Sequence, residues 1–143
     1  MDSEQFRKVL LDLNEINNDR NAGYEAAAKE TKDKSLRTLF HELASHSQNF
    51  SKEISSELQN IGVSPVRGTS QPGRTFRVAG VQDRKGILTS CETGESEALK
   101  LYRTVLQTNE DWPGNIRSTL ERQAQLIQQD HDRIRSLRDS ISS

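Results

Sequence analysis

The chain has one cysteine, Cys91, and three prolines in 143 residues. A lone cysteine excludes an internal disulfide and cannot supply a thiolate-rich zinc site, which fits a reducing compartment. So few prolines leave long stretches in which nothing forces a helix to break. Aromatic residues make up only 5% and apolar residues 31%, while 29% are charged, a balance too lean for a β-sandwich but normal for long amphipathic helices that each bury one stripe. Neither sign of charge is in excess: 20 basic against 21 acidic residues leave a net charge of −1. No global field then draws the chain to nucleic acid or to an anionic membrane, and neither is expected as a partner. No run approaches the ~20 apolar residues that span a bilayer, and the opening MDSEQFRKVL has no apolar stretch of signal-peptide length. A cytoplasmic location is the expectation. The length suits a single domain over 1–143 with one core.

What the chain does have is helical periodicity, four times over. Phe6, Leu10, Leu13, Ile16, Tyr24, Ala27 and Ala28 recur at three- and four-residue steps, which predicts a helix over about 4–32 with Asp2 or Ser3 as its cap. Leu36, Leu39, Phe40, Leu43, Phe50, Ile54, Leu58 and Ile61 predict a second over 35–61, capped by Asp33 or Ser35 and stopped by Gly62 and Pro65. Ile87, Leu88, Cys91, Ala98, Leu99, Tyr102 and Leu106 predict a third over 83–109, capped by Asp83. The fourth, over 113–141, opens at Asp111-Trp112-Pro113, since proline suits a first turn where its missing N–H is not needed, and runs through Ile116, Leu120, Ala124, Ile127, Ile134, Leu137 and Ile141.

The connections between helices one and two and between three and four are only a few residues long, so each must join antiparallel neighbours. The stretch 62–82 is different, being rich in Gly, Ser and Pro and far longer than a hairpin requires. A helix of this kind is roughly 42 Å long, and about twenty extended residues reach ~60 Å. The linker can return along the whole bundle, giving an all-α four-helix bundle in up-down-down-up order; a slack linker between up-down-up-down helices is the alternative. Its Arg67, Arg74 and Arg77, with Arg84 and Lys85 beyond, make this region locally basic, a solubilising connection with Phe76, Val78 and Val81 pinned to the bundle. Those apolar residues could otherwise cover the seam of a homodimer.

Certain polar residues keep the phase of the apolar stripes. Extending each stripe places Asn17, Arg20 and Tyr24 inward on helix one, His46 on helix two, Glu95 on helix three, and Gln128 with His131 on helix four. In the crossover order, Arg20, His46, Glu95, Gln128 and His131 all fall roughly 15 to 20 Å from the one-two turn, in one layer. Gly23 and Gly94 lie near the same depth, where backbones can approach or a π-bulge can form. A buried, unpaired Arg or Glu is costly, so an ion pair of Arg20 with Glu95 is expected, with His131 or Tyr24 hydrogen-bonded to the carboxylate.

The segments INNDRNAGYEAAAKE, LFHELASHSQNFSKEI, DRKGILTSCETGESEALKLY and RQAQLIQQDHDRIRSLRD resemble an uncharacterised bacterial group of four-helix-bundle proteins in the ferritin-like superfamily. Tyr24, Glu95 and His131 carry that likeness most clearly. It implies a ferritin-like bundle and no assigned activity. Di-iron members take one Glu from each of two helices and a Glu-x-x-His motif from each of the other two. This chain keeps Glu95, but offers Asn17 and Arg20 on helix one, Leu43-x-x-His46 on helix two and Gln128-x-x-His131 on helix four. A guanidinium in that layer repels a dication. The reading is therefore a non-catalytic bundle without metal, structural or interacting in role and stress-associated by family analogy. The competing reading is a metal-binding or redox protein holding iron or zinc on His46, Glu95 and His131.

Other patterns are weaker. His41, Glu42 and His46 miss the zincin spacing by one residue, and His41 should face solvent. A Cys91–His131 nucleophile pair is outweighed by the ordinary role of a cysteine on an apolar stripe, which is core packing.

Overall fold

The computed structural model describes residues 3–60, 62, 83–108 and 112–141. They form four α-helices: α1 Ser3–Glu30, α2 Lys34–Asn60, α3 Arg84–Thr108 and α4 Gly114–Asp139. Among the described residues there is no strand, and the architecture is an all-α four-helix bundle. No helix among them is long and apolar enough to cross a membrane. The expected cap at Asp2, the fourth-helix opening at Asp111, and the linker beyond Gly62 with its arginines and its Phe76, Val78 and Val81 lie outside the described residues.

Local chemistry sets the helix ends. Asp33 Oδ1 accepts the backbone N–H groups of Ser35 at 2.9 Å and Leu36 at 3.2 Å, so Asp33 caps α2 and Ser35 lies inside it. Asp83 Oδ2 accepts the Gly86 N–H at 2.9 Å and caps α3 in the same way. At the end of α2 the Gly62 N–H bonds the Gln59 carbonyl at 3.0 Å, with Gly62 at a φ of 81°, a left-handed turn that a Cβ would strain. Pro113 is the N-cap of α4 and not its first helical residue: at φ −53° and ψ 142° it is still extended, and it donates nothing at either position. The helices remain α through the buried Gly23 and Gly94, with no π-bulge.

Side-chain pairs give the direction of every helix. Asn17 meets Tyr102, Arg20 and Tyr24 meet Glu95, and Asp33 meets Arg84 at 3.4 Å, so numbers rise on α1 as they fall on α3. Glu53 meets Arg122 and Gln123, His46 meets Asp130, and Glu42 meets Arg133, so α2 and α4 are also antiparallel. With the tight antiparallel pairs α1–α2 and α3–α4, these contacts fix an up-down-down-up bundle in which α3 starts at the end where α2 also starts. The two tight hairpins face each other through α1 against α3 and α2 against α4.

The core is divided. One apolar cluster, around Tyr24, Phe40, Leu43, Ile87, Leu88 and Ile134, fills the end near the α1–α2 turn. A second, around Leu13, Phe50, Leu58, Trp112, Leu120 and Ile127, fills the other, where Phe6 and Trp112 tilt together with ring centroids 4.9 Å apart. Between them lie buried polar residues. Replacing Asp33 by Ala removes the α2 cap and the partner of Arg84 together. Its expected cost is ~0.5–2 kcal/mol, read from urea unfolding, whereas replacing Ser35 by Ala should leave the midpoint unchanged.

Candidate functional site

Arg20 projects from α1 into the middle of the bundle and is 0% exposed, as is Glu95 from α3. The guanidinium grips the carboxylate with two bonds, Nη2 to Oε1 at 2.7 Å and Nε to Oε2 at 3.1 Å, the fork-to-fork geometry that arginine alone supplies. Nη2 also donates to Asp130 Oδ2 on α4 at 3.4 Å, and Nη1 to Asn17 Oδ1 one turn earlier at 3.4 Å. The Tyr24 hydroxyl donates to Glu95 Oε1. His46 of α2 brings Nδ1 within 2.9 Å of Asp130 Oδ2 and remains one-third exposed, so it joins the buried pair to the surface. Each helix contributes at least one member. Tyr24 and Phe50 wall the guanidinium, both ring centroids lying 5.9 Å from Cζ.

A second polar chain crosses the bundle just beyond the first. Asn17 Nδ2 donates to the Tyr102 hydroxyl at 2.7 Å and to the Leu13 carbonyl at 3.0 Å; Tyr102 donates to Gln123 Oε1 at 2.6 Å. Gln123 Nε2 in turn reaches the Phe50 carbonyl at 3.4 Å and Glu53 Oε1 at 3.3 Å. Asn17 belongs to both chains, so the two form one connected network.

Two residues expected in this layer stand elsewhere. Gln128 is half-buried on the outer side of α4, accepting from Arg103 and donating to Asp132 at 2.9 Å. The true inward line of α4 is Ile116, Leu120, Gln123, Ile127, Asp130 and Ile134 at alternating four- and three-residue steps, and Gln128 lies about 100° away from it. His131 sits one step past Asp130, at the α3–α4 seam. Its Nε2 is 3.1 Å from Ser96 Oγ and 3.7 Å from Glu92, and its Nδ1 is 3.4 Å from Asp132, so it does not touch Glu95. His46, Glu95 and His131 do not converge, and among the described residues no three His, Cys, Asp or Glu side chains gather where they could hold a metal ion. The exposed His41 pairs with Glu25 at 3.3 Å.

Asp130, Gln123 and the Tyr102 hydroxyl are the members that the stripe reading missed. The signal for the first two was present in the four-three spacing from Ile116 to Ile134, which passes through positions 123 and 130. Tyr102 was read as an apolar stripe residue, because periodicity carries no information on where a hydroxyl points.

The burial of this network alters its ionisation. Burial works against the Arg20 charge, but Glu95, then Tyr24 and Asp130, raise its pKa above the ordinary arginine value. Burial pushes the Glu95 carboxyl upward, while the Arg20 guanidinium and the Tyr24 hydroxyl pull the other way. Tyr24 and Tyr102 are both pushed above the usual phenol range by burial, and Glu95 adds to the shift of Tyr24. Burial, with Glu95 adding to it, also raises the Cys91 thiol, the opposite of what an attacking sulfur needs.

A family model for a domain of unknown function, DUF2383, matches residues 5–108, well over half of the chain. The chain belongs to the DUF2383 family. The match spans the three helices that supply Asn17, Arg20, Tyr24, His46, Glu95 and Tyr102, and stops at the last residue of α3. DUF2383 carries no assigned activity in its description, and no curated protein matches the chain.

Both tyrosines of the chain are buried with pKa values raised above the unfolded 10.0. Their contribution to stability is fully present below pH ~10 and is lost as pH rises beyond it, since only the unfolded chain then releases these protons. Alkaline titration at 295 nm should show no tyrosinate until the helical circular dichroism collapses, and the two signals should change together. A free phenol titrating near pH 10 in the folded protein would contradict this placement.

Proposed function

We propose that this chain is a non-catalytic, ferritin-like helical bundle, a structural or interaction module whose polar middle layer holds the four helices in register where relatives of that superfamily hold metal. The observation that supports this is the Arg20 guanidinium, wholly buried and shared between Glu95 and Asp130. A catalytic layer needs groups with spare hydrogen-bonding or coordination capacity aimed at a reacting atom. Here Glu95 is engaged by Arg20 and Tyr24, Asp130 by Arg20 and His46, and Asn17 by Arg20, Tyr102 and its own helix. The likeness to ferritin-like bundles is what attaches a stress-associated role to the reading, and the lone cysteine with the lack of long apolar runs is what favours the cytoplasm.

A buried network of this kind works through specificity. Each member finds its partners in one helix register only, and slipping α3 by a turn against α1 would strand a guanidinium in apolar surroundings. The supporting surface is correspondingly ordinary, an exposed set of Arg–Glu pairs such as Arg117 with Glu121 that contributes solubility more than stability.

Two measurements test the reading. Untagged protein purified from cells supplied with iron and zinc should carry far less than one metal per chain by elemental analysis, and chelator should leave the thermal midpoint in place. One tightly held metal per chain would overturn it. Replacing Glu95 by Gln, which leaves Arg20 buried opposite a neutral amide, should cost ~3 kcal/mol or more in denaturant unfolding. An unchanged midpoint in that variant would remove the role given to the layer.

A further inference from the structure

We infer that the middle layer is a binding site for a guanidinium-type cation, which the chain fills with its own Arg20, and that it selects this cation against a divalent metal. The inference rests on the metal-free reading of the bundle and adds to it the identity of the ion that the layer accepts.

The ferritin-like ligand set gives the measure of what a metal in such a bundle requires. That set needs a carboxylate on α1, a Glu-x-x-His on α2, a carboxylate on α3 and a second Glu-x-x-His on α4. Around Arg20 the bundle presents Glu95 from α3, His46 from α2 and Asp130 from α4, and the residues three before the last two are Leu43 and Ile127, so neither helix offers a Glu-x-x-His pair there. Leu43 and Ile127 are 0% exposed, packed aliphatic side chains that offer no ligand atom. A two-metal centre does not fit: it takes four carboxylates and two histidines, and the layer presents Glu95, Asp130 and His46. What is left is two carboxylates and a half-buried imidazole around one position, and that position is filled by a cation covalently tied to α1.

The surroundings favour a planar, weakly hydrated cation. Glu95 presents both oxygens to the fork, one to Nε and one to Nη2, which matches the spacing of a guanidinium's parallel N–H groups. Phe50 and Tyr24 approach the charge with their rings, 5.9 Å from Cζ to each centroid. Aromatic walls stabilise a cation that has little hydration to lose, while a small divalent ion keeps its water or takes oxygen and nitrogen ligands in their place. His46 reaches Asp130 but makes no bond to Glu95, and among the described residues no three His, Cys, Asp or Glu side chains gather where they could hold a metal ion. The two-atom grip of Glu95 and the aromatic walls therefore fit a guanidinium.

The experiment is chemical rescue. Arg20→Gly deletes the tethered cation and leaves Glu95 and Asp130 facing each other across the vacated space. Its thermal midpoint is expected to fall well below that of the unsubstituted chain. Millimolar N-ethylguanidinium, compared with sodium at equal ionic strength, should raise it by ~5 °C or more, while Mn²⁺, Zn²⁺ and Fe²⁺ should not. If R20G is unfolded in sodium buffer, the same comparison is read as helical circular dichroism regained on adding N-ethylguanidinium. Arg20→Lys provides the second arm: it keeps the charge and loses the fork, so it should fold with a lower midpoint than arginine gives. Stabilisation of R20G by a divalent metal beyond that by N-ethylguanidinium overturns the inference. So does the absence of rescue by N-ethylguanidinium, or an R20K midpoint equal to that of arginine. Because elemental analysis of the unsubstituted chain reads only whether metal is present, a metal-free protein with failed rescue would sink this inference alone.

Discussion

A guanidinium with no contact to water is among the most expensive groups a bundle can enclose, and the arrangement of the other helices is organised around meeting its demand. Desolvating one ion costs several kcal/mol even after the surroundings relax, and the attraction between partners offsets this only when geometry is good and every remaining donor is satisfied. Arg20 directs four hydrogen bonds to partners, through Glu95 on two atoms, Asp130 on a third helix and Asn17 on its own. Those partners come from α1, α3 and α4, and His46 secures Asp130 from α2. On the proposed reading, the ionic cluster acts by disfavouring other packings of the same helices.

The long crossover follows from the same requirement. For Glu95 to stand at the level of Arg20 while Asp33 meets Arg84, α3 must begin at the end where α1 finishes. Since α2 also begins there, α2 and α3 run in the same direction, and the chain has to travel the length of the bundle between Asn60 and Arg84. In an up-down-up-down bundle the first turn of α3 would sit at the far end, away from Asp33. The order of the helices and the placement of the charges are two views of one constraint.

Much of this was legible in the sequence. Four amphipathic periods, Asp33 and Asp83 as caps, Gly62 as a stop and a connection too long for a hairpin were enough for the bundle and its order. Arg20 and Glu95 could be placed together because both are in phase with apolar stripes, so each had to find a partner. The α4 members were harder. Asp130 and His131 are adjacent, both polar, and only one of them can face inward; a helix stripe is about 100° wide, and that is also the angle between neighbours. Ala124 and Leu137, half-buried at the flanks, pulled the sequence-based stripe toward Gln128, when Gln123 and Asp130 were completing the true line. Hydroxyl bonds such as that of Tyr102 to Gln123 depend on atoms at the tip of a side chain, and residue spacing carries nothing about them.

The division of charge between the two hairpins has a bearing on assembly. The α1–α2 hairpin brings the guanidinium and an imidazole to the shared face, and the α3–α4 hairpin brings the two carboxylates. If two copies met through the same hairpin, arginine would oppose arginine, or four acids would crowd a dry space. Only unlike halves neutralise each other. The pairing behaves as a lock and its key cut into one polypeptide, and what it turns away is the docking of two like halves.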